Sequence, residues 1–247
     1  LFTIGNIGTN ISSTCSVTVT KSASPEAKEI TTNVSDFNEN SYYDTDITPS
    51  TGNPKLLVIP VWFTDSSSFI STSNKETVRS DIEKAYFGSN EETGWRSVKT
   101  FYEEESHNKV SLTGVVTDWY NCGKSYKTLG ADEGTATNAL VKAATKWYFD
   151  NNPSASKKSF DTDGNGYLDG VMLIYGAPDY DALNNDDYSN LWAYCFWLQD
   201  GNANKTNPNP NAYFWASYDF MYGYSKKVGS YYSGDTGHCN VDAHTYI

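Results

Sequence analysis

The stretch from Leu56 to Phe63, LLVIPVWF, limits the fold more than any other part of this chain. It is too short for a buried helix and shows no polar alternation. It therefore predicts a strand buried on both faces. Pro60 removes one ladder donor and predicts an edge position or a bulge. Downstream, Ser73-Asn74-Lys75-Glu76 reads as a capping box. It opens a helix that puts Val78, Ile82, Ala85 and Tyr86 on one face and stops at Gly88. Trp95, Val98, Phe101 and Tyr102 predict a second helix ending near Ser106, and Val110, Leu112 and Val116 then alternate as a strand. A third helix is expected over 135–150, with Ala136, Leu140, Ala143, Ala144 and Trp147 together. Val171 to Tyr175 predicts another buried strand, and strand-like pieces follow at Leu191 to Leu198 and Tyr213 to Phe220. Such alternation is an α+β or α/β arrangement around a mixed sheet.

The ends and the charge narrow the class. Residues 1–20 alternate Cys15, Val17 and Val19 with Ser and Thr, a half-buried strand that cannot stand as a domain; 21–54 are polar and punctuated by Pro25, Pro49, Gly52 and Pro54, a linker wrapping the surface. The body is 55–247. Eighteen basic against thirty acidic residues give a net charge of −12, which repels phosphate backbones and excludes nucleic acid as a partner. No apolar run reaches the length of a membrane span. The many aromatic residues and the polar, loop-rich remainder fit a secreted or cell-surface protein. Cys15, Cys122, Cys195 and Cys239 lie far apart without C-x-x-C spacing; one disulfide and free buried thiols both remain open.

The sharpest motif is Asp161-Thr-Asp163-Gly-Asn165-Gly166-Tyr167-Leu168-Asp169. Oxygen side chains fall at the first, third, fifth and ninth positions of a calcium loop, with the carbonyl of Tyr167 at the seventh. Gly166 stands where the chain must turn sharply. The twelfth position is Met172, not Glu, and a strand follows where a helix would complete an EF-hand. The competing reading is a tight Asn-Gly turn with acidic neighbours.

Three histidines are present. His107 follows three glutamates at a helix end, where an imidazolium meets the helix dipole favourably. His238, Cys239, Asp242 and His244 fall within seven residues and are metal-ligand types, although Asp242 also reads as the N-cap of a helix beginning at Ala243. No G-x-S-x-G elbow and no Cys-His context favour a serine or cysteine hydrolase.

Taken in order, KLLVIPVWFTDSSSF, YEEESHNKVSLTGVV, FDTDGNGYLDGVMLIYG, LWAY, FWASYDF and GHCNVDAHTYI resemble successive landmarks of the immune inhibitor A family of secreted zinc metallopeptidases. The end of the opening strand, VTVT, resembles the last strand of bacterial immunoglobulin-like repeats. The family resemblance implies a zincin-like mixed sheet and protein or peptide substrates. In the family a segment like VDAHTYI leads into H-E-x-x-H, whose two His bind zinc and whose Glu activates water. The sequence contains no such motif. The expectation is therefore the amino-terminal part of a catalytic domain, incomplete, with zinc only in the complete parent enzyme and no catalytic residue here. On that reading an apolar groove opens beside Ile247, exposes parts of Leu56 to Val61 and Val171 to Ile174, including Val58, Val61 and Leu173, and invites self-association. The alternative is an adhesion or carbohydrate-binding module with Trp192, Trp197 and Trp215 as its platform.

Overall fold

The computed structural model describes residues 47–132, 134–179, 183, 186–198, 202–222 and 240–247, all in the compact unit Tyr43–Ile247. The immunoglobulin-like strand expected over 1–20, and the linker up to residue 46, lie outside the described residues.

Among the described residues six strands form one sheet: β1 (Lys55–Trp62), β2 (Thr113–Val116), β3 (Tyr120–Asn121), β4 (Val171–Tyr175), β5 (Tyr194–Trp197) and β6 (Ala212–Ser217). Their order is β2-β1-β4-β6-β5, with β3 also paired to β1. All pairings are parallel except β5 with β6, which is antiparallel with Tyr194 opposite Trp215. The mixed sheet expected from the sequence is present.

The β1 run is buried on both faces because helices cover both. On one face Leu56, Val58, Ile174, Phe214 and Ala216 pack with Val78, Ile82, Ala85 and Tyr86 of helix α1 (Lys75–Phe87) and with Val241, Ala243 and Tyr246 from the end of the chain. On the other, Leu57, Ile59, Val61, Leu173, Tyr175 and Trp215 pack with Leu140, Val141 and Ala144 of the longest helix. The intervening helices are α2 (Asn90–Thr93), α3 (Val98–Glu105), α4 (Tyr126–Gly130) and α5 (Thr135–Asn151).

Pro60 lies in the middle of the sheet, not at an edge. The Leu57 N–H bonds Gly170 on the β4 side, whereas Val58 and Trp62 accept bonds from Thr117 and Cys122 on the opposite side. By alternation Pro60 turns its missing donor toward that opposite side, opposite the gap between the end of β2 at Val116 and the start of β3 at Tyr120. No ladder donor is lost there, and proline is tolerated.

Other local expectations shift. Ser73 does not cap α1: residues Thr72–Asn74 form a 3-10 turn and the Ser73 hydroxyl meets that of Ser71 at 3.0 Å, while Glu76 pairs with Arg79. Capping boxes do form at Ser89 with Glu92 and at Ser97 with Thr100. The latter starts α3 at Val98 and leaves Trp95 outside the helix. In α5 the buried stripe is Thr137, Leu140, Val141, Ala144 and Thr145; Ala143 faces solvent.

Candidate metal centre

Asp161 to Asp169 connects a 3-10 turn (Lys157–Phe160) to β4. The alternating oxygen residues fold it locally. Asp163 Oδ1 accepts from the Asn165 N–H at 3.0 Å, and Asn165 Oδ1 accepts from the Tyr167 N–H at 2.7 Å, two successive side-chain turns. Gly166 adopts φ +97°, and its amide donates to Asp161 Oδ2 at 3.2 Å. A side chain at Gly166 is barred twice, by that left-handed backbone and by the Asn204 nitrogen, 2.7 Å from where a Cβ would stand.

This folding brings Asp161, Asp163 and Asp169 together, with one carboxylate oxygen from each within 4.8 Å of the others. Asp161 and Asp169 are buried, 9 % and 2 % exposed. Asp169 Oδ2 accepts from the Lys55 N–H at 2.6 Å and from the Thr162 hydroxyl at 2.9 Å, and its Oδ1 accepts from the Thr162 N–H at 2.9 Å. The carboxylate thus fastens the loop to the first residue of β1. Asp161 differs: its Oδ1 is buried with no hydrogen-bond partner. Burial is the main force raising the carboxyl pKa of both residues. At Asp161 the Gly166 N–H opposes it and Asp163 adds to it; at Asp169 the bonds from Lys55 and Thr162 oppose it. A buried carboxylate oxygen without a donor is costly unless a proton or a cation answers it.

The oxygen set suits a hard cation. Met172 lies in β4 and brings no carboxylate, as its residue type dictates. What sequence reasoning missed is the anchoring by Lys55 and by the Thr48 hydroxyl, which donates to the Asp169 carbonyl at 2.6 Å. These partners are 114 and 121 residues away, and no local pattern signals them.

The two described histidines, His107 and His244, do not converge on a common site. His107 is exposed in a left-handed turn, φ +53°, beyond the end of α3. His238 and Cys239 lie outside the described residues. Asp242 and His244 are joined to each other, with Nδ1 2.5 Å from Oδ1, and the His244 N–H donates to the same oxygen at 2.9 Å. The imidazole stacks on Trp95 at 3.8 Å between centroids. Asp242 is not the expected N-cap of a helix beginning at Ala243: the segment is a 3-10 turn over His244–Tyr246 whose N-cap is Ala243, and Asp242 instead accepts from the first residue of that turn. Among the described residues the acidic triad is the one metal-ligand cluster.

Beside the chain's last residues an apolar cavity of about 750 Å³ opens between Leu56, Tyr86, Val98, Phe214, Tyr246 and Ile247. The groove expected beside Ile247 is present. The expected exposure of the sheet is not: Val58, Val61 and Leu173 are 0 % exposed and Tyr246 is 6 % exposed. The chain supplies its own cover, since Tyr246 stacks on Tyr86 and its hydroxyl donates to the Ser217 carbonyl at 2.8 Å. The aromatic platform fails as well. Trp192 is 55 % exposed but Trp215 is fully buried, its indole N–H bonded to the Asn190 carbonyl at 2.8 Å. Cys122 and Cys195 are free thiols; Cys15 and Cys239 lie outside the described residues. No helix among the described residues is long and apolar enough to cross a membrane.

The family model described as immune inhibitor A peptidase M6, catalytic domain, matches residues 50–216, which covers β1 through nearly all of β6. No curated protein matches the chain.

Proposed function

Because the chain belongs to the immune inhibitor A peptidase M6 family, we propose that it forms the sheet-bearing part of a secreted, zinc-dependent metallopeptidase that acts on extracellular proteins or peptides, and that by itself it binds calcium and cleaves nothing. The observation that carries this reading is the family match laid over a mixed sheet whose edge strand β5 is antiparallel to its neighbour.

The family implies zinc, and the residues described here do not fit it. Their clustered ligands are all carboxylates, which suit harder ions, and the one described imidazole near a carboxylate is engaged by Asp242 and Trp95. The sequence contains no H-E-x-x-H, so two imidazoles and a water-activating glutamate would have to come from elsewhere. Purified chain is expected to leave casein intact with or without chelator. Chelator-sensitive cleavage would overturn this and point to His238, Cys239 and His244.

Calcium is the ion proposed for the loop, with Asp161, Asp163, Asn165, the Tyr167 carbonyl and Asp169 as ligands. The orphaned Asp161 oxygen supports it. When bound, the ion neutralises a buried group of carboxylates and holds the loop on the start of β1; no chemical step is assigned to it. Self-association through the groove beside Ile247 is the accompanying expectation, read by light scattering as a mass above 27.4 kDa.

A further inference from the structure

A second cavity, of about 680 Å³, lies on the other side of the sheet against α5, a size typical of small-molecule sites. Its chemistry runs against the rest of the molecule. In a chain of net charge −12, Lys142, Lys146 and Lys157 all line this one space, and Asp150 is the single carboxylate among its described lining residues. The helix sets part of this pattern, because positions 142, 145, 146 and 149 share one side of α5. Lys157 is added by the 3-10 turn that follows α5.

Asp150 is engaged by Lys146 at 2.5 Å. Lys157 makes no ion pair with the described residues; its ammonium lies 5.6 Å from the centre of the Phe149 ring. Burial lowers its pKa, the Asp150 charge opposes that shift, and the Lys146 charge adds to it to a smaller extent. A second, independent observation is the Thr145 hydroxyl. Thr145 lines the cavity, is 2 % exposed, and its Oγ1 has no hydrogen-bond partner.

The remaining wall is rich in amides. Asn202, Asn207 and Asn209 all line it. Their segment is held in place, since Asn209 Nδ2 donates to the Asn202 carbonyl at 2.9 Å and the Asn207 N–H donates to Asn204 Oδ1 at 2.9 Å. Three ammonium groups without an arginine recognise an oxyanion as point charges and not as a planar fork, which suits a tetrahedral anion better than a carboxylate. Amides and a hydroxyl suit the hydroxyl groups of a sugar.

We propose that this cavity binds a sugar bearing a tetrahedral oxyanion ester, with the sulfate or phosphate between Lys142, Lys146 and Lys157 and the sugar hydroxyls on Thr145 and the asparagine amides. Sulfated and phosphorylated sugars share this chemistry, and the experiment separates them. Calorimetric titration of the full chain with glucosamine 6-sulfate, glucose 6-phosphate, inorganic sulfate and glucose is expected to give a Kd on the order of 1 mM for at least one ester. Glucose should give no binding, and added salt should weaken the esters. The tighter ester identifies the source. Lys157→Met should weaken binding about tenfold by removing one of the three ammonium groups that line the cavity, and Thr145→Val about threefold by removing the hydroxyl at nearly constant shape. Both variants should keep the parent's circular dichroism spectrum. No binding of either ester, or unchanged affinity in Lys157→Met, overturns the proposal. Inorganic sulfate binding as tightly as the sulfated sugar overturns the role given to the amides and Thr145.

Discussion

The loop at Asp161 to Asp169 and the segment at Asp242 to His244 both concentrate metal-ligand residue types within a few positions, yet they end in opposite states. In the segment the acceptor and donor satisfy each other: Asp242 takes the His244 ring and backbone N–H, and Trp95 covers the imidazole. In the loop the acceptors outnumber the donors. Three carboxylates converge, and one buried Asp161 oxygen is left without a partner. Ligand residue types close in sequence are therefore a weak sign of a metal site. An excess of like-charged, unsatisfied ligands is a stronger one, because folding has made a deficit that only a proton or cation removes.

That contrast breaks or holds on calcium first. Saturating calcium is expected to stabilise the chain by about 2.7 kcal/mol at a hundredfold excess over Kd, a rise in Tm of roughly 5 to 10 °C for a domain of this size. Asp163→Ala should abolish the increment, and zinc should not reproduce it. An unchanged melting curve across millimolar calcium would place the loop in the same class as the histidine segment.

Asp169→Asn comes next. It removes a charged acceptor from the Lys55 and Thr162 N–H groups and should cost about 1–3 kcal/mol in urea unfolding even without calcium. A loss seen only in the presence of calcium would mean that the anchoring role is wrong. His244→Ala should cost about 1 kcal/mol, from the stack on Trp95 and the bond to Asp242, and should leave the calcium increment unchanged. A coupled loss would make the two regions one site.

The smallest effect is a sign. Burial holds the Asp161 and Asp169 carboxyls above their ordinary range, so between that range and the raised values the folded chain binds more protons than the unfolded one. Stability of the calcium-free chain should therefore rise as pH falls through that window. With calcium bound the ligands are held ionised and the slope should reverse. Melting curves at several pH values, with and without calcium, read both slopes; equal slopes would remove the ion from the loop.

Much of this was legible in the residues themselves. The β1 and β4 strands, the faces of α1 and the geometry of the carboxylate loop depend on spacing over two to four positions, which near-neighbour chain geometry enforces. Gly166 and the successive turns at Asp163 and Asn165 belong to the same local order. The capping site before α1 misled because Ser71 competes for the Ser73 hydroxyl, and Pro60 misled because its tolerance depends on where a neighbouring strand breaks.

What the sequence by itself determined, then, is the central strands, the longer helices and which residues could gather cations, because these follow from periodicity and residue chemistry along the chain, whereas the short pieces at Asn90–Thr93, Tyr120–Asn121 and Tyr126–Gly130 carry no such pattern. Only the tertiary structure decided that Asp169 holds the start of β1, that Trp215 is core and not platform, that His244 lies on Trp95, and that three lysines share a cavity with a loop some sixty residues further along the chain. Each of those depends on which distant surface meets a side chain once both faces of the sheet are covered, and spacing along the chain carries no record of that meeting.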